Sequence, residues 1–143
     1  MIRRAVEADL ELMERLWDAF TTEATFTPYP GSPFDRSLVT DHLALVAEEE
    51  GAVVGTVYVN TSSTDFGYVF GLYVVPAARR RGIARSLMQE VARLLSQQGR
   101  PYVVLSVDTP NEEARSFYAR LGFEDAARML RAEVMQLLDG VND

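Results

Sequence analysis

The chain has 143 residues, 48% of them hydrophobic and 24% charged, with a net charge of −7. These proportions describe one globular domain and exclude collagen-like, mucin-like and wholly disordered chains. No apolar run approaches the roughly 20 residues that cross a bilayer, and charge arrives at Arg3 and Arg4, too early for a signal peptide. The expectation is a cytoplasmic protein with no membrane partner.

Three residue counts remove whole chemistries. Cysteine is absent, so no disulfide, thiolate nucleophile or Cys-ligated zinc is available. Histidine occurs once, at His42, and cannot form a His pair around a metal. All 14 basic residues are arginine, which removes a pyridoxal Schiff base and a Walker P-loop, since both need lysine. No metal site is expected, although carboxylate-only sites stay open. Residues 1–65 hold 12 carboxylates against 4 arginines, and the remainder carries a net +1. An acidic chain is a poor ligand for a phosphate backbone, so no nucleic-acid partner is expected. A cationic partner for the first half and an anionic one for the second would fit the asymmetry, and so would plain solubility.

In chain order, Ile2–Ala5 reads as a short strand. Asp9–Phe20 reads as a helix, because Leu10, Met13, Leu16, Trp17 and Phe20 recur at helical spacing. Glu7, Asp9 and Glu11 suit its positive N-terminal end. Thr21–Phe34 holds three prolines and a glycine and reads as a loop. A short helix is expected within Asp35–Leu43, with Leu38, Val39 and His42 on one side. Ala44–Glu49 and Ala52–Asn60 flank Glu50-Gly51 as a hairpin. Thr61–Asp65 is turn-like, and Phe66–Val75 is a long apolar run ended by Pro76.

An amphipathic helix follows from about Gly82 to Gln98, with Ile83, Leu87, Val91 and Leu95 on its buried face and Gly99 as its stop. Tyr102–Val107, rich in β-branched residues, reads as a strand. A shorter helix covers Glu112–Leu121 and is closed by Gly122. Arg128–Leu138 reads as a last strand and 139–143 as a frayed tail. Strand–helix–strand passages near 70–107 and 102–138 make residues 1–143 a single α/β (α+β) domain with a mixed sheet.

Leu72-Tyr73-Val74-Val75-Pro76-Ala77-Ala78-Arg79-Arg80-Arg81-Gly82-Ile83-Ala84 is the most informative stretch. A buried strand ends at a proline, and three arginines, a glycine and an alanine open a long helix. Unpaired N–H groups at a helix start attract anions. Gly82 and Ala84 leave the backbone approachable, and Arg79, Arg80, Arg81 and Arg85 add positive charge. Positive residues at a helix start oppose the macrodipole, so helix stability does not explain them, whereas a bound pyrophosphate does.

This stretch resembles the phosphate motif of the Gcn5-related N-acetyltransferases, the GNAT superfamily: Arg/Gln-x-x-Gly-x-Gly/Ala is met by Arg79, Gly82 and Ala84. A second family signal matches at Asn111-x-x-Ala114-x-x-Phe117-Tyr118-x-x-x-Gly122-Phe123. The resemblance implies a mixed, mostly antiparallel central sheet with a splayed parallel strand pair, flanked by about four helices. It implies acetyl-CoA as cosubstrate. The pyrophosphate would lie on Arg79, Arg80, Arg81, Gly82, Ile83 and Ala84. The pantetheine arm would pair like an added strand with Leu72, Tyr73 and Val74, and Asn111 would hydrogen-bond it or order its loop. Tyr118 is implied as the general acid that meets the departing sulfur, and as a cofactor contact.

The general base is not assigned. Many members have a carboxylate just before the Leu-Tyr-Val segment, where this chain has Val69, Phe70 and Gly71. Members that acetylate protein N-termini often have a Glu where this chain has Ser106. Water relay to Asp65, Asp108 or a loop carboxylate is the remaining route. His42 reads as a partly exposed helix residue.

The Thr21–Phe34 loop is expected on the acceptor side, with Phe26, Tyr29, Pro30 and Phe34 as an apolar wall and Glu23 or Asp35 attracting an amine. It reads equally as a proline-stiffened surface loop. The leading function is acetyl transfer to a primary amine of a small molecule or peptide by direct attack in a ternary complex. The alternatives are a non-catalytic acyl-CoA-binding regulatory module and a protein N-terminal acetyltransferase. A homodimer through the edge formed by Arg128–Leu138, with Met129, Met135 and Leu137, is expected.

Overall fold

The computed structural model describes residues 1–23 and 33–139. Five strands, β1 (Ile2–Arg4), β2 (Leu43–Glu49), β3 (Ala52–Asn60), β4 (Phe66–Val74) and β5 (Tyr102–Val104), form one sheet in sequential order. Neighbours are antiparallel except the last pair, β4 and β5, which is parallel. The helices are α1 (Leu10–Glu23), α2 (Ser37–Thr40), α3 (Ile83–Gln97), α4 (Glu112–Leu121) and α5 (Val134–Asp139).

Side-chain alternation along the strands sends residues to two cores. Leu43, Leu45, Val57, Val59 and Val69 meet Leu87, Met88, Val91 and Leu95 of α3. Ala44, Val46, Tyr58 and Tyr73 point the other way, against Met13, Leu16 and Trp17 of α1. Contact between the sheet and α3 is tight at Gly67, where an added Cβ would lie 2.6 Å from Leu95 Cδ1 and 2.7 Å from Val59 Cγ1. Of the expected α3 stripe, Leu87, Val91 and Leu95 are fully buried, while Ile83 at the start of the helix is half-buried.

Several expected boundaries move. α1 runs on to Glu23, past the expected end at Phe20. α2 is only four residues long, because Leu43 already belongs to β2 and pairs with Val59. His42 therefore lies in the bend between α2 and β2, with Nδ1 buried and without a hydrogen bond among the described residues. β5 stops at Val104 rather than Val107.

The largest correction is at the C-terminal end. Arg128–Leu138 is not a strand; Val134–Asp139 is a helix, and residues 123–133 have no regular structure. Met, Gln and Leu dominate the last six of these residues and favour helix over strand. Met129, Leu130, Val134, Met135, Leu137 and Leu138 are all exposed. Residues 140–143 of the expected tail lie outside the described residues.

One ion pair fastens the start of α1 to the sheet edge. Arg3 on β1 donates Nη1 and Nη2 to the two carboxylate oxygens of Asp9 at 2.8 and 3.0 Å, and Nε to Glu48 at 2.9 Å. The Val6 N–H adds a further bond to Asp9 at 2.8 Å. The Arg3 guanidinium holds the Asp9 carboxyl below its ordinary range, against desolvation that pushes it up. A carboxyl lowered by folding contributes stability above its unfolded pKa of about 3.9 and loses it as pH falls through the folded value. Asp9→Asn should therefore lower unfolding free energy by about 1.5–3 kcal/mol at neutral pH. In urea titrations the gap from wild type should close as the pH approaches ~2.

Candidate active site

The site begins where β4 loses a neighbour. β4 and β5 pair at Phe66↔Tyr102, Gly67↔Val103 and Tyr68↔Val104, and then separate. β4 continues to Val74 on its other partner, β3. The Tyr68 hydroxyl donates to Ser106 Oγ at 2.8 Å just past the fork. Beyond it, Val69 to Val74 line a cleft of about 1060 Å³.

A bulge turns this open edge. Thr56 faces Tyr73 and Tyr58 faces Phe70, so Gly71 and Leu72 together stand opposite Val57. Such an extra residue bends a strand and sharpens its twist. Gly71 is required here: φ is +63°, and a Cβ would lie 2.6 Å from the Tyr58 ring and 3.0 Å from Trp17. The Thr56 hydroxyl donates to the Gly71 carbonyl at 3.4 Å beneath it. Two glycines, Gly67 and Gly71, stand in the β4 pattern, and of the two Gly71 lies at the bulge while Gly67 marks the close approach of α3.

The phosphate-loop candidate closes one end of the cleft. Arg80 stands at φ +66°, a left-handed position that costs a non-glycine residue about 1–2 kcal/mol. Gly82 is left-handed at φ 79° and ψ 14° and precedes α3. An added Cβ there would meet no protein atom within 4 Å. The Ser86 N–H reaches the Gly82 carbonyl at 3.0 Å, so the N–H groups of Ile83, Ala84 and Arg85 precede the helical ladder and have no partner in it.

The three loop arginines have different surroundings. Arg79 donates Nε to the Val74 carbonyl and Nη2 to Glu23, both at 2.8 Å, and lies 5.4 Å from the Tyr73 ring centre. Glu23 also accepts the Tyr73 hydroxyl at 2.7 Å. These two donors, Tyr73 first, hold the Glu23 carboxyl below its ordinary range. Arg80 lines the cleft, as does Arg85, and neither has an ion pair among the described residues. Arg81 leaves the cleft for Glu49 at 2.9 Å and the Ala77 carbonyl at 3.1 Å. Arg81 is absent from the residues that line the cleft, and its side chain ties the loop to the end of β2.

α4 forms the opposite wall. Asn111 Oδ1 accepts the Ala114 N–H at 3.1 Å and caps the helix. Tyr118 packs edge-on against Phe117 and Phe123, at ring separations of 5.1 and 5.4 Å. Burial pushes its phenol up to about 12, so it keeps its proton as a donor throughout ordinary pH. Among the described residues its hydroxyl has no hydrogen bond.

The cleft thus brings together Leu72, Tyr73, Val74, Arg79, Arg80, Gly82, Ile83, Ala84, Asn111 and Tyr118. An open strand edge, approachable backbone and two unpaired guanidinium groups suit a long ligand with an anionic end. On the acceptor side, Phe34 is not a cleft wall; it packs edge-on against Trp17 and Tyr58. Asp35 Oδ1 accepts the Ser37 N–H at 2.9 Å. Phe26, Tyr29 and Pro30 lie outside the described residues. Phe20 and Glu23 do line the cleft, as do Asp108 and Glu113, whereas Asp65 does not.

The model of the acetyltransferase (GNAT) family matches residues 10–123. YiaC of Escherichia coli, a peptidyl-lysine N-acetyltransferase, is 34% identical over 136 residues, covering 86% of this chain and 82% of YiaC. N-alpha-acetyltransferase 30 of Schizosaccharomyces pombe is 37% identical over 81 residues, covering 57% of this chain and 54% of that protein. The chain spans about half the length of that second relative. A solved aminoglycoside acetyltransferase, HMB0005, from an uncultured soil metagenomic sample has a TM-score of 0.69 at 27% identity, covering 94% of this chain and 97% of its own. The chain belongs to the GNAT acetyltransferase family, whose members draw on acetyl-CoA.

Gly82 offers the direct test of the phosphate loop. Gly82→Val places a β-branched side chain at positive φ in the cleft, with a stability cost of about 1–2 kcal/mol. Calorimetry should then show no measurable CoA binding while the melting curve stays cooperative. Affinity equal to wild type would show that this backbone does not face the donor.

Proposed function

We propose that the chain acetylates a primary amine from acetyl-CoA by direct attack in a ternary complex. The observation that carries this reading is the cleft itself, in which a one-sided strand, a left-handed loop at a helix start and a protonated tyrosine meet. The donor supplies an activated acetyl thioester. Leu72, Tyr73 and Val74 offer main-chain groups to its arm. Arg80, Arg85 and the N–H groups that open α3 receive the anionic end, Arg79 adds charge from the wall, and Asn111 orders the α4 side.

Tyr118 supplies the proton-bearing oxygen for the departing sulfur. Burial disfavours the ionised phenol, so the proton stays on Tyr118 in the resting cleft. The hydroxyl is therefore read as a hydrogen-bond donor to the negative charge that grows on the sulfur. The acceptor ammonium must shed a proton first, and Asp108, which lines the cleft where Asp65 does not and has no ion pair among the described residues, is the carboxylate read as receiving it through water.

The acceptor class follows from the similarity to YiaC, which supports a lysine side chain of a peptide as the first amine to test. Peptide N-termini and small amines complete the panel, since the second curated relative and HMB0005 carry those chemistries in their names. Release of free CoA with any acceptor, beyond slow hydrolysis, supports catalysis. Tight CoA binding without turnover would favour the regulatory module. We also place the protein in the cytoplasm.

Tyr118→Phe isolates the hydroxyl. Loss of a hydrogen bond to a charged group amounts to about 1.5–3 kcal/mol, so kcat should fall by about 10- to 150-fold while the KM for acetyl-CoA changes little. A fall below about threefold would leave Tyr118 a packing residue.

We further propose a homodimer that covers the exposed apolar residues of 129–138. Strand pairing no longer supports it; six large exposed apolar side chains in one short segment do. Light scattering at high concentration should give twice the 16.0 kDa of one chain, and a monomer mass would refute it.

A further inference from the structure

Arg79 opens the phosphate motif, yet its guanidinium is already engaged within the protein. Nε is bound to the Val74 carbonyl and one Nη2 proton to Glu23. An arginine has five N–H donors, so the Nη1 pair stays available without breaking either bond. The Val74 carbonyl closes β4, and the next N–H, that of Val75, is tied to the Val54 carbonyl at 2.9 Å. Arg79 thus grips the end of the strand whose open edge forms the cleft.

Glu23, expected from the sequence to attract the acceptor amine, has both carboxylate oxygens engaged within the protein instead. It is the last residue of α1, on the other face of the sheet from α3. One oxygen accepts the buried Tyr73 hydroxyl and the other accepts Arg79. Tyr73 is itself anchored edge-on to Phe20, one turn back along α1, at 6.3 Å. The carboxylate is therefore fixed from two sides. A negative charge at the rim of an anion site is unfavourable for an anionic ligand unless it serves another purpose. Its contacts name that purpose: a loose arginine has four side-chain torsions to order on binding, and a prepared one does not.

We infer that Glu23 is a positioning residue for the donor site, holding Arg79 in the orientation in which its free edge meets the phosphate end of the ligand. This rests on the acetyl-CoA reading given above. The pair is about half exposed, at 43% and 46% for the two side chains, so the effect is modest and screened by salt.

The two roles available to Glu23 give opposite signs. If its charge simply faced the ligand, Glu23→Gln would tighten CoA binding. If it positions Arg79, the same variant weakens binding, although a repulsive charge has been removed. Gln keeps the size and the acceptor for Tyr73, so the fold is retained. The experiment is calorimetric titration of CoA into wild type, Glu23→Gln, Arg79→Ala and the double variant, with steady-state kinetics alongside. The expected result is a dissociation constant raised about three- to fivefold in Glu23→Gln. The same rise should appear in the acetyl-CoA KM rather than in kcat. In the Arg79→Ala background the substitution should have no further effect or the opposite one, since the residue it acts through is gone. Tighter or unchanged binding in Glu23→Gln, or an equal loss with Arg79 absent, overturns the inference while leaving the function intact. A wild-type chain with no affinity for CoA removes both.

Discussion

Past Tyr68 and Val104 the parallel strands stop pairing, and β4 runs on to Val74 with one side of its backbone open. Unpaired main-chain groups in a protein interior are costly, so an open edge in the middle of a fold requires either solvent or a ligand. The rest of the site is arranged around that edge. The bulge at Gly71 turns it, Arg79 pins its end, and α3 and α4 stand on either side of the opening. Both faces of the sheet are packed, which keeps β4 rigid although one neighbour is missing.

Rigidity is distributed unevenly around the cleft. The floor rests on fully buried residues such as Val57, Val59 and Leu87. Phe117, Tyr118 and Leu121 of α4 are only half-buried against the core, and the helix is fixed by an Asn cap at one end and a left-handed Gly122 at the other. Tyr118 is thus held by its rings' contacts with Phe117 and Phe123 rather than by a hydrogen bond to its oxygen. A donor held in this way is set in place without a competing partner, which is the condition for stabilising charge that develops only during reaction.

The parts of the fold that were legible in the sequence are those governed by short-range pattern. The α3 stripe, the β2–β3 hairpin and the glycine that precedes α3 follow from spacing and turn chemistry. Arg128–Leu138 misleads because it is rich in large apolar residues, yet these fall in adjacent pairs, Met129-Leu130, Val134-Met135 and Leu137-Leu138, rather than alternating, and the second half forms a short helix. The three consecutive arginines have three different surroundings, Arg79 on Glu23, Arg80 in the cleft and Arg81 on Glu49, which their shared position in the motif does not announce. The contact between Glu23 and Arg79 joins residues 56 positions apart, and no local signal announces it. Gly71 carried its signal openly, as a glycine within a β-branched and aromatic run, but only the register with Thr56 and Tyr58 gives that signal a meaning.

The cations around the cleft are all guanidinium groups, and none is an ammonium. Guanidinium keeps its proton at any pH the protein meets, so it offers no lone pair to an acyl donor. A lysine in the same wall would be an amine held beside an activated acetyl group, a rival to the true acceptor and a charge that the reaction could erase. With arginine alone, an anionic acyl donor received there would meet a surface chemically inert to what it carries. The same wall can serve turnover after turnover without being altered by it.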